Sequence, residues 1–369
     1  AVAVYRYPAP PGGRGAAGYA LEFAWATLAI LVLAIWVALR RGVDVVHAAN
    51  PPDTLFVIGA LFRLLGKCYV FDHHDLAPEV YLARFGRRRD LIHACLRLLE
   101  RASYAVASIV IATNESYRRR AIATGHLRPE RVFVVRNGPP LAYQPLRGSA
   151  GPVDPGAVRG DGRIGYIGTI GPQDGVDRLM RAVAHIVHGL GRTGVRAVVI
   201  GDGDALVQVR RLAATLRIEP NVQFTGWLDE ASARRLLCDV DVCVQPDPSS
   251  PLNDVSTMNK LMEYMALGKP TVAFDLPETR WSAQDAALYV GGNDDQAFAL
   301  QVVRLLDDPA LRQRLGEAGR ERIRSALAWE YSVEELLRAY EVGLGLAWAM
   351  QPAPPGRAAA AARVHEEAS

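Results

Sequence analysis

Short runs of β-branched and aromatic residues alternate with longer stretches of helical period along most of this chain. In the first half, Asp44–His47, Cys68–Asp72, Ser108–Ala112 and Arg131–Val135 predict strands. Helical patterns around Asp53–Leu65, Asp90–Tyr104 and Glu115–Ala123 lie between them. In the second half the predicted strands are Arg163–Gly168, Val195–Ile200, Val222–Thr225, Asp241–Gln245 and Thr271–Phe274, separated by helices such as Val176–Leu190 and Ala205–Leu216. Parallel strands need crossover connections, so this alternation predicts an α/β fold of two open parallel sheets.

The pattern breaks once. Residues 139–162 carry Pro139, Pro140, Pro145, Pro152 and Pro155 with several glycines and no sustained period, which reads as a linker. It divides a first domain, 1–138, from a second, 163–330. A last helical stretch, Tyr331–Leu346 within 331–348, follows, and the Pro/Ala-rich and charged tail, 349–369, reads as disordered. Ala1–Tyr7 reads as a strand already under way, so the first domain is expected to be incomplete at its N-terminus. Phe23–Leu39 is an uncharged run of 17 residues followed by Arg40-Arg41. A membrane span needs about 20 apolar residues, and a strand-like segment follows at once. A buried or peripherally membrane-touching helix is therefore expected in preference to a span.

Composition narrows the class. A net charge of +3 is too small to indicate nucleic acid. The runs Arg87-Arg88-Arg89 and Arg118-Arg119-Arg120 read as solvated helix ends, or else as contacts to an anionic lipid surface. Cys68, Cys95, Cys238 and Cys243 are scattered, which suits a reducing compartment and supports neither a disulfide framework nor a metal site.

Ligands of open parallel sheets bind beyond the carboxyl ends of the strands, so the strand-to-helix loops are the places to look for chemistry. Gly168 and the loop after it, 169–177 with Gly171 and Gly175, let the backbone approach a ligand at a helix N-terminus whose free N–H groups suit a phosphate, and Gln173 stands in the same loop; a tight turn of any α/β protein reads the same way. Gly201-Asp202-Gly203-Asp204 repeats the device one strand later. Ser256 is placed to cap a helix ending at Gly268, with Met258, Leu261, Met262 and Met265 as its buried stripe. Ser256, Lys260 and Glu263 fall on the opposite face. Lys260 suits a phosphate and Glu263 ribose hydroxyls, or the two form a surface pair at i, i+3. In the first domain, Phe71–Tyr81 packs two histidines and three carboxylates beyond a strand. His74 is the expected acid–base or hydrogen-bonding group, with Asp75 orienting it; metal ligation is the lesser reading. The pairs Asp202/Asp204 and Asp239/Asp241 do not imply a metal.

Taken in order, D-V-V-H-A-A-N-P-P-D, D-H-H-D-L-A-P-E, A-T-N-E-S-Y, V-V-R-N-G-P, I-G-Y-I-G-T-I-G, V-I-G-D-G-D, V-Q-F-T-G-W and L-M-E-Y-M-A-L-G-K-P resemble glycosyltransferase family 4, over about residues 40–345. The resemblance implies the GT-B architecture of two Rossmann-like domains facing across a cleft, a final helix crossing back onto the first domain, and a missing first strand and glycine loop before Ala1. It implies a nucleoside-diphosphate sugar as donor, a glycan or lipid-linked acceptor, transfer with retention, no cofactor and no essential metal. The expected location is the cytoplasm, peripheral at the inner face of the plasma membrane. By motif, His74 would contact the transferring sugar and Glu263 the ribose. Gly168 to Gly175 would line the diphosphate, and Gly203 and Phe224–Trp227, with Gly226, would lie near the base. Two departures stand out: Val255 replaces the first Glu of a frequent Glu-x7-Glu, and the first glycine loop lacks its usual Arg and Lys. The rival readings are a nucleotide-sugar epimerase of the same fold and a non-catalytic subunit of a glycan-assembly complex.

Overall fold

A computed structural model describes residues 2–8, 15–86, 89–143, 145 and 162–346. The first half runs α1 (Gly15–Arg41), β1 (Val45–Ala49), α2 (Phe56–Leu64), β2 (Cys68–His73), α3 (Ala77–Phe85), α4 (Leu91–Val106), β3 (Ile109–Ala112), α5 (Glu115–Gly125) and β4 (Val132–Val134). Its four strands form one parallel sheet in sequence order, β1-β2-β3-β4. Both faces are covered, as parallel sheets require. Tyr69, Phe71, Val110 and Val132 pack with Tyr104 of α4 and Ala121 of α5. Cys68, Val70, Ile109, Ile111 and Phe133 form the other face.

The second half runs β5 (Arg163–Ile167), α6 (Val176–Ala184), β6 (Arg196–Ile200), α7 (Leu206–Thr215), β7 (Val222–Gly226), α8 (Glu230–Asp239), β8 (Val242–Gln245), α9 (Asn259–Ala266), β9 (Thr271–Phe274), α10 (Pro277–Ala283), β10 (Ala287–Val290), α11 (Asp295–Asp307), α12 (Pro309–Arg322) and α13 (Trp329–Gly343). Six parallel strands lie in the order β10-β9-β8-β5-β6-β7. The order reverses between β5 and β8, so the loops after these two strands meet at a topological switch point, where such sheets place their ligands.

α13 leaves the second domain and covers the open face of the first sheet, through Trp329, Leu336, Ala339 and Tyr340. The Trp329 amide donates to the Pro139 carbonyl at 3.0 Å, so both crossings between the domains are tied together. Of the predicted linker, residues 144 and 146–161 lie outside the described residues, as does the predicted tail.

Several expectations are corrected. Val2–Pro8 belongs to neither sheet, because β-branched composition supplies no pairing partner; β1 is the edge. α1 is not buried: Ala20–Arg41 is long and apolar enough to cross a membrane, yet only 6% of its most apolar stretch is inside the molecule. One face, with Ile30, Leu31, Ala34 and Ala38, packs on Leu55, Ile58 and Phe62. Leu21, Trp25, Leu28, Val32, Ile35, Trp36 and Leu39 are exposed at helical spacing. Arg120 is no solvated helix end, since it joins Glu79 at 2.7 Å and the buried Glu100 at 3.0 Å. Arg87 and Arg88 lie outside the described residues.

Candidate functional site

The carboxyl end of β2 sorts the two histidines by strand period. His73 points inward, fully buried, with its Nδ1 3.1 Å from the Tyr104 hydroxyl. Burial drives its pKa down to about 3, so it stays neutral. His74 lies just past the strand in a loop clamped by Asn50, whose Oδ1 accepts the His74 and Asp75 amides at 2.8 and 3.1 Å while its Nδ2 donates to the Asp75 carbonyl at 2.7 Å.

Asp72, not Asp75, orients His74. Asp72 and His74 are two residues apart and share a side, whereas sequence adjacency had suggested Asp75. The Asp72 Oδ2 lies 3.0 Å from Nε2 of His74 and 3.0 Å from Nε2 of His47 on β1. His47 Nδ1 is 2.6 Å from the Tyr340 hydroxyl on α13, and His74 Nδ1 is 3.3 Å from Asn137 Nδ2. With Asp72 ionised, both imidazoles donate Nε2–H to it, leaving each Nδ1 to accept, from Tyr340 and from Asn137. Burial would raise the Asp72 carboxyl, but the bonds from His47 and His74 outweigh it and hold the group at about 2. The same bond raises His74, while burial raises Asp75. His47, Asn137 and Tyr340 escape sequence reasoning because only strand register and the return of α13 bring them here.

In the second domain the two glycine loops are zipped together. The Gly168 amide donates to the Ile200 carbonyl, Ile170 to Asp202, and Ala205 back to Ile170, at 3.0, 3.0 and 2.9 Å. A side chain at Gly201, whose φ is +138°, would place its Cβ 1.9 Å from the Gly168 carbonyl oxygen. A Cβ at Gly175, with φ +67°, would come equally close to the Pro246 carbonyl oxygen at the switch point. These glycines serve loop-to-loop packing as the plain α/β reading requires, and the Gly171 amide is taken by Asp174 at 2.8 Å. Gly203 approaches Ile170 in the same way, and the Gly226 carbonyl accepts the Gly201 amide. Gln173 passes its carbonyl to Asn253, while its buried Oε1 has no partner among the described residues.

α9 begins at Asn259, later than the pattern suggested, and Ser256 does not cap it. The Ser256 hydroxyl donates instead to the Leu252 carbonyl at 2.8 Å and lies 3.3 Å from the Tyr117 hydroxyl of the first domain. Leu261, Met262 and Met265 are buried as expected. Lys260 is engaged: its Nζ donates to both oxygens of Asp247 at 2.8 and 3.0 Å, with the two side chains 10% and 1% exposed. Nearby Asp174 is raised by burial to about 6, against the pull of Lys260. The side chain of Glu263, half-buried one turn along α9, makes no hydrogen bond or ion pair among the described residues. Burial, helped by Glu230 after β7, pushes it up to about 7.

The domains meet across this region. Asn114 caps α5 through Oδ1 while its Nδ2 reaches the Val255 carbonyl at 2.9 Å and the Thr257 hydroxyl at 3.0 Å. Ser116 donates to Glu278 at 2.6 Å, and Arg136 lies 3.6 Å over the Trp281 ring. Arg84, in the last turn of α3, donates to Asp204 in the second glycine loop at 2.9 Å. Among the described residues no group of three or more His, Cys, Asp or Glu side chains is arranged to hold a metal ion.

Comparison with known proteins adds to this geometry. Residues 1–138 match the model of the glycosyl transferase 4-like domain, and residues 161–308 match that of the glycosyl transferases group 1. The lipopolysaccharide core biosynthesis glycosyltransferase LpsD of Rhizobium meliloti is 29% identical over 211 residues, 57% of this chain and 55% of that protein. LpsE of the same organism is 31% identical over 168 residues, 45% of this chain and 44% of that protein. The chain thus spans about half the length of these relatives. Among solved structures, sucrose-phosphate synthase from Thermosynechococcus elongatus has a TM-score of 0.67 at 20% identity, covering 88% of this chain and 79% of that one. Anabaena HepE in complex with UDP-glucose has a TM-score of 0.68 at 17% identity, covering 85% and 82%. At these identities the likeness concerns the fold: both parallel sheets belong to the GT-B architecture.

Proposed function

Because the chain belongs to the group 1, family 4 glycosyltransferases, we propose that it transfers a sugar from a nucleoside-diphosphate sugar to a glycan or lipid-linked acceptor in cell-surface glycan synthesis. The observation that carries the donor site is Glu263. A half-buried carboxylate without a protein partner, raised to about 7, is an acceptor awaiting donors, and ribose hydroxyls supply them. It stands beside the switch-point loops, where the fold places ligands.

Transfer proceeds with retention and without an essential metal. The acceptor hydroxyl attacks from the face that the diphosphate leaves, through an oxocarbenium-like state, so catalysis consists of positioning and of stabilising the departing charge. His74, steered by Asp72, touches the transferring sugar from the first domain.

The test is thermal shift with UDP, GDP, ADP and dTDP, in the presence of a chelator. One of them stabilises the protein by a few kcal/mol at saturating concentration, and Glu263→Ala loses that shift. No shift with any nucleotide in folded protein sinks the donor-site reading and favours a non-catalytic subunit.

The reading places the protein in the cytoplasm, against the inner membrane face where lipid-linked acceptors lie. Its support is α1, about 40 Å long, with an outward apolar stripe that includes Trp25 and Trp36 and ends at Arg40-Arg41. The protein is expected to sediment with vesicles containing phosphatidylglycerol, and the Trp25→Ala/Trp36→Ala double variant to do so at least about tenfold more weakly. Equal sedimentation of the two removes the membrane contact and leaves the donor site standing.

A further inference from the structure

We infer that Arg84, a residue of the first domain, is the cation that meets the phosphates of a nucleotide held by the second. The inference deepens the donor-site reading above and rests on it. α3 starts beside the Asp72–Asp75 cluster, and its last turn carries Arg84 over the cleft, where Nη2 donates to Asp204 Oδ2 at 2.9 Å. Asp204 belongs to the loop 201–204, which is zipped to the first glycine loop.

The second domain supplies little positive charge there. Residues 168–175 include neither Arg nor Lys. Lys260, the cation at the switch point, is committed to Asp247 through both carboxylate oxygens. Asp174 and Asp247 add two carboxylates where a diphosphate would sit, so a cation must come from elsewhere. Arg84 is near enough to both halves of the site for its charge to pull down Asp75 on one side and Asp174 on the other, against the upward push of burial. A guanidinium offers paired N–H donors that fit two phosphate oxygens, so phosphate can replace the Asp204 carboxylate without loss of charge pairing. The exchange also ties nucleotide binding to closure of the cleft, since the two partners come from different domains.

Calorimetric titration of the full chain with UDP, GDP, ADP and dTDP, and with the matching monophosphates, tests the assignment. For the diphosphate that binds, Arg84→Met is expected to weaken affinity by roughly 10- to 100-fold, the worth of a charge-assisted pair, and the monophosphate much less. Asp204→Asn removes the carboxylate that phosphate must displace and is expected to tighten the diphosphate severalfold. If Arg84→Met binds the diphosphate like the wild type while Glu263→Ala does not, the role of Arg84 falls and the donor site stands. If Arg84→Met weakens di- and monophosphate equally and Asp204→Asn weakens both as well, the pair is a structural clasp and the inference is overturned. Wild-type protein that binds no nucleotide overturns both.

Discussion

Lys260→Ala is expected to lower the stability of the fold by about 3–5 kcal/mol, because it strands a buried carboxylate. Asp247 is 1% exposed and takes both its short contacts from the Lys260 ammonium. With the cation gone, Asp247 must ionise without a partner or carry a proton, and either state costs the native form. A phosphate-binding Lys260, as the sequence suggests, need not support the fold; the bidentate pair with Asp247 adds that second role. Chemical denaturation of Lys260→Ala measures the loss, and a change below about 1 kcal/mol would show the pair to be solvent-relaxed. The Lys260→Met/Asp247→Leu double variant separates the roles. Replacing a buried pair by apolar groups of similar volume is often close to neutral, so this variant is expected to recover most of the stability. Turnover that recovers with stability would confine Lys260 to a structural role.

A second large effect is expected with pH. Asp53, 5% exposed at the end of the loop after β1, is raised by burial to about 7, against the hydrogen bond that it accepts from Asn50. The native protein therefore keeps a proton that the unfolded chain has released above about pH 4. Stability from this group is full below that unfolded pKa, falls as pH rises towards 7, and levels off beyond. A shift of this size corresponds to at most about 4 kcal/mol. Asp53→Asn keeps an oxygen for Asn50 and removes the titration, so it is expected to match the wild type near pH 4 and exceed it by about 2 kcal/mol at pH 8. Glu263 and Asp174 act in the same direction but remain in both proteins, so the difference isolates Asp53. Parallel stability–pH curves for the two proteins would refute the assignment.

Much of the architecture was legible because parallel strands announce themselves as short apolar runs between helical patterns. Nine of the ten predicted strands occur, most with ends shifted by a residue or two. β10 was missed because Ala287–Val290 is short and follows a turn of 3-10 helix, with no helical pattern to set it off. Ala1–Tyr7 was misread for the opposite reason: strand propensity states what a segment can pair with, not that a partner is present. At the site, sequence finds the loops and mistakes the partners. Ser256 looked like a cap because it precedes the helical pattern, but its hydroxyl is spent on Leu252. His47, Tyr340, Asn137 and Arg84 carry no local signal, since each gains its meaning from an element far away in the chain.

The return of α13 to the first sheet also bears on how the chain is made. During synthesis the four strands of that sheet leave the ribosome with the face of Val70, Ile109, Ile111 and Phe133 bare. The helix that covers it follows only after about 200 further residues have been translated. The nascent first domain is thus an exposed apolar sheet for as long as the second domain takes to emerge, a natural client for chaperones. A stop codon just before Trp329 would leave residues 1–138 unaltered and yet damage them most. In this protein a lesion in the codons of α13 is a defect in a domain completed about 200 residues earlier.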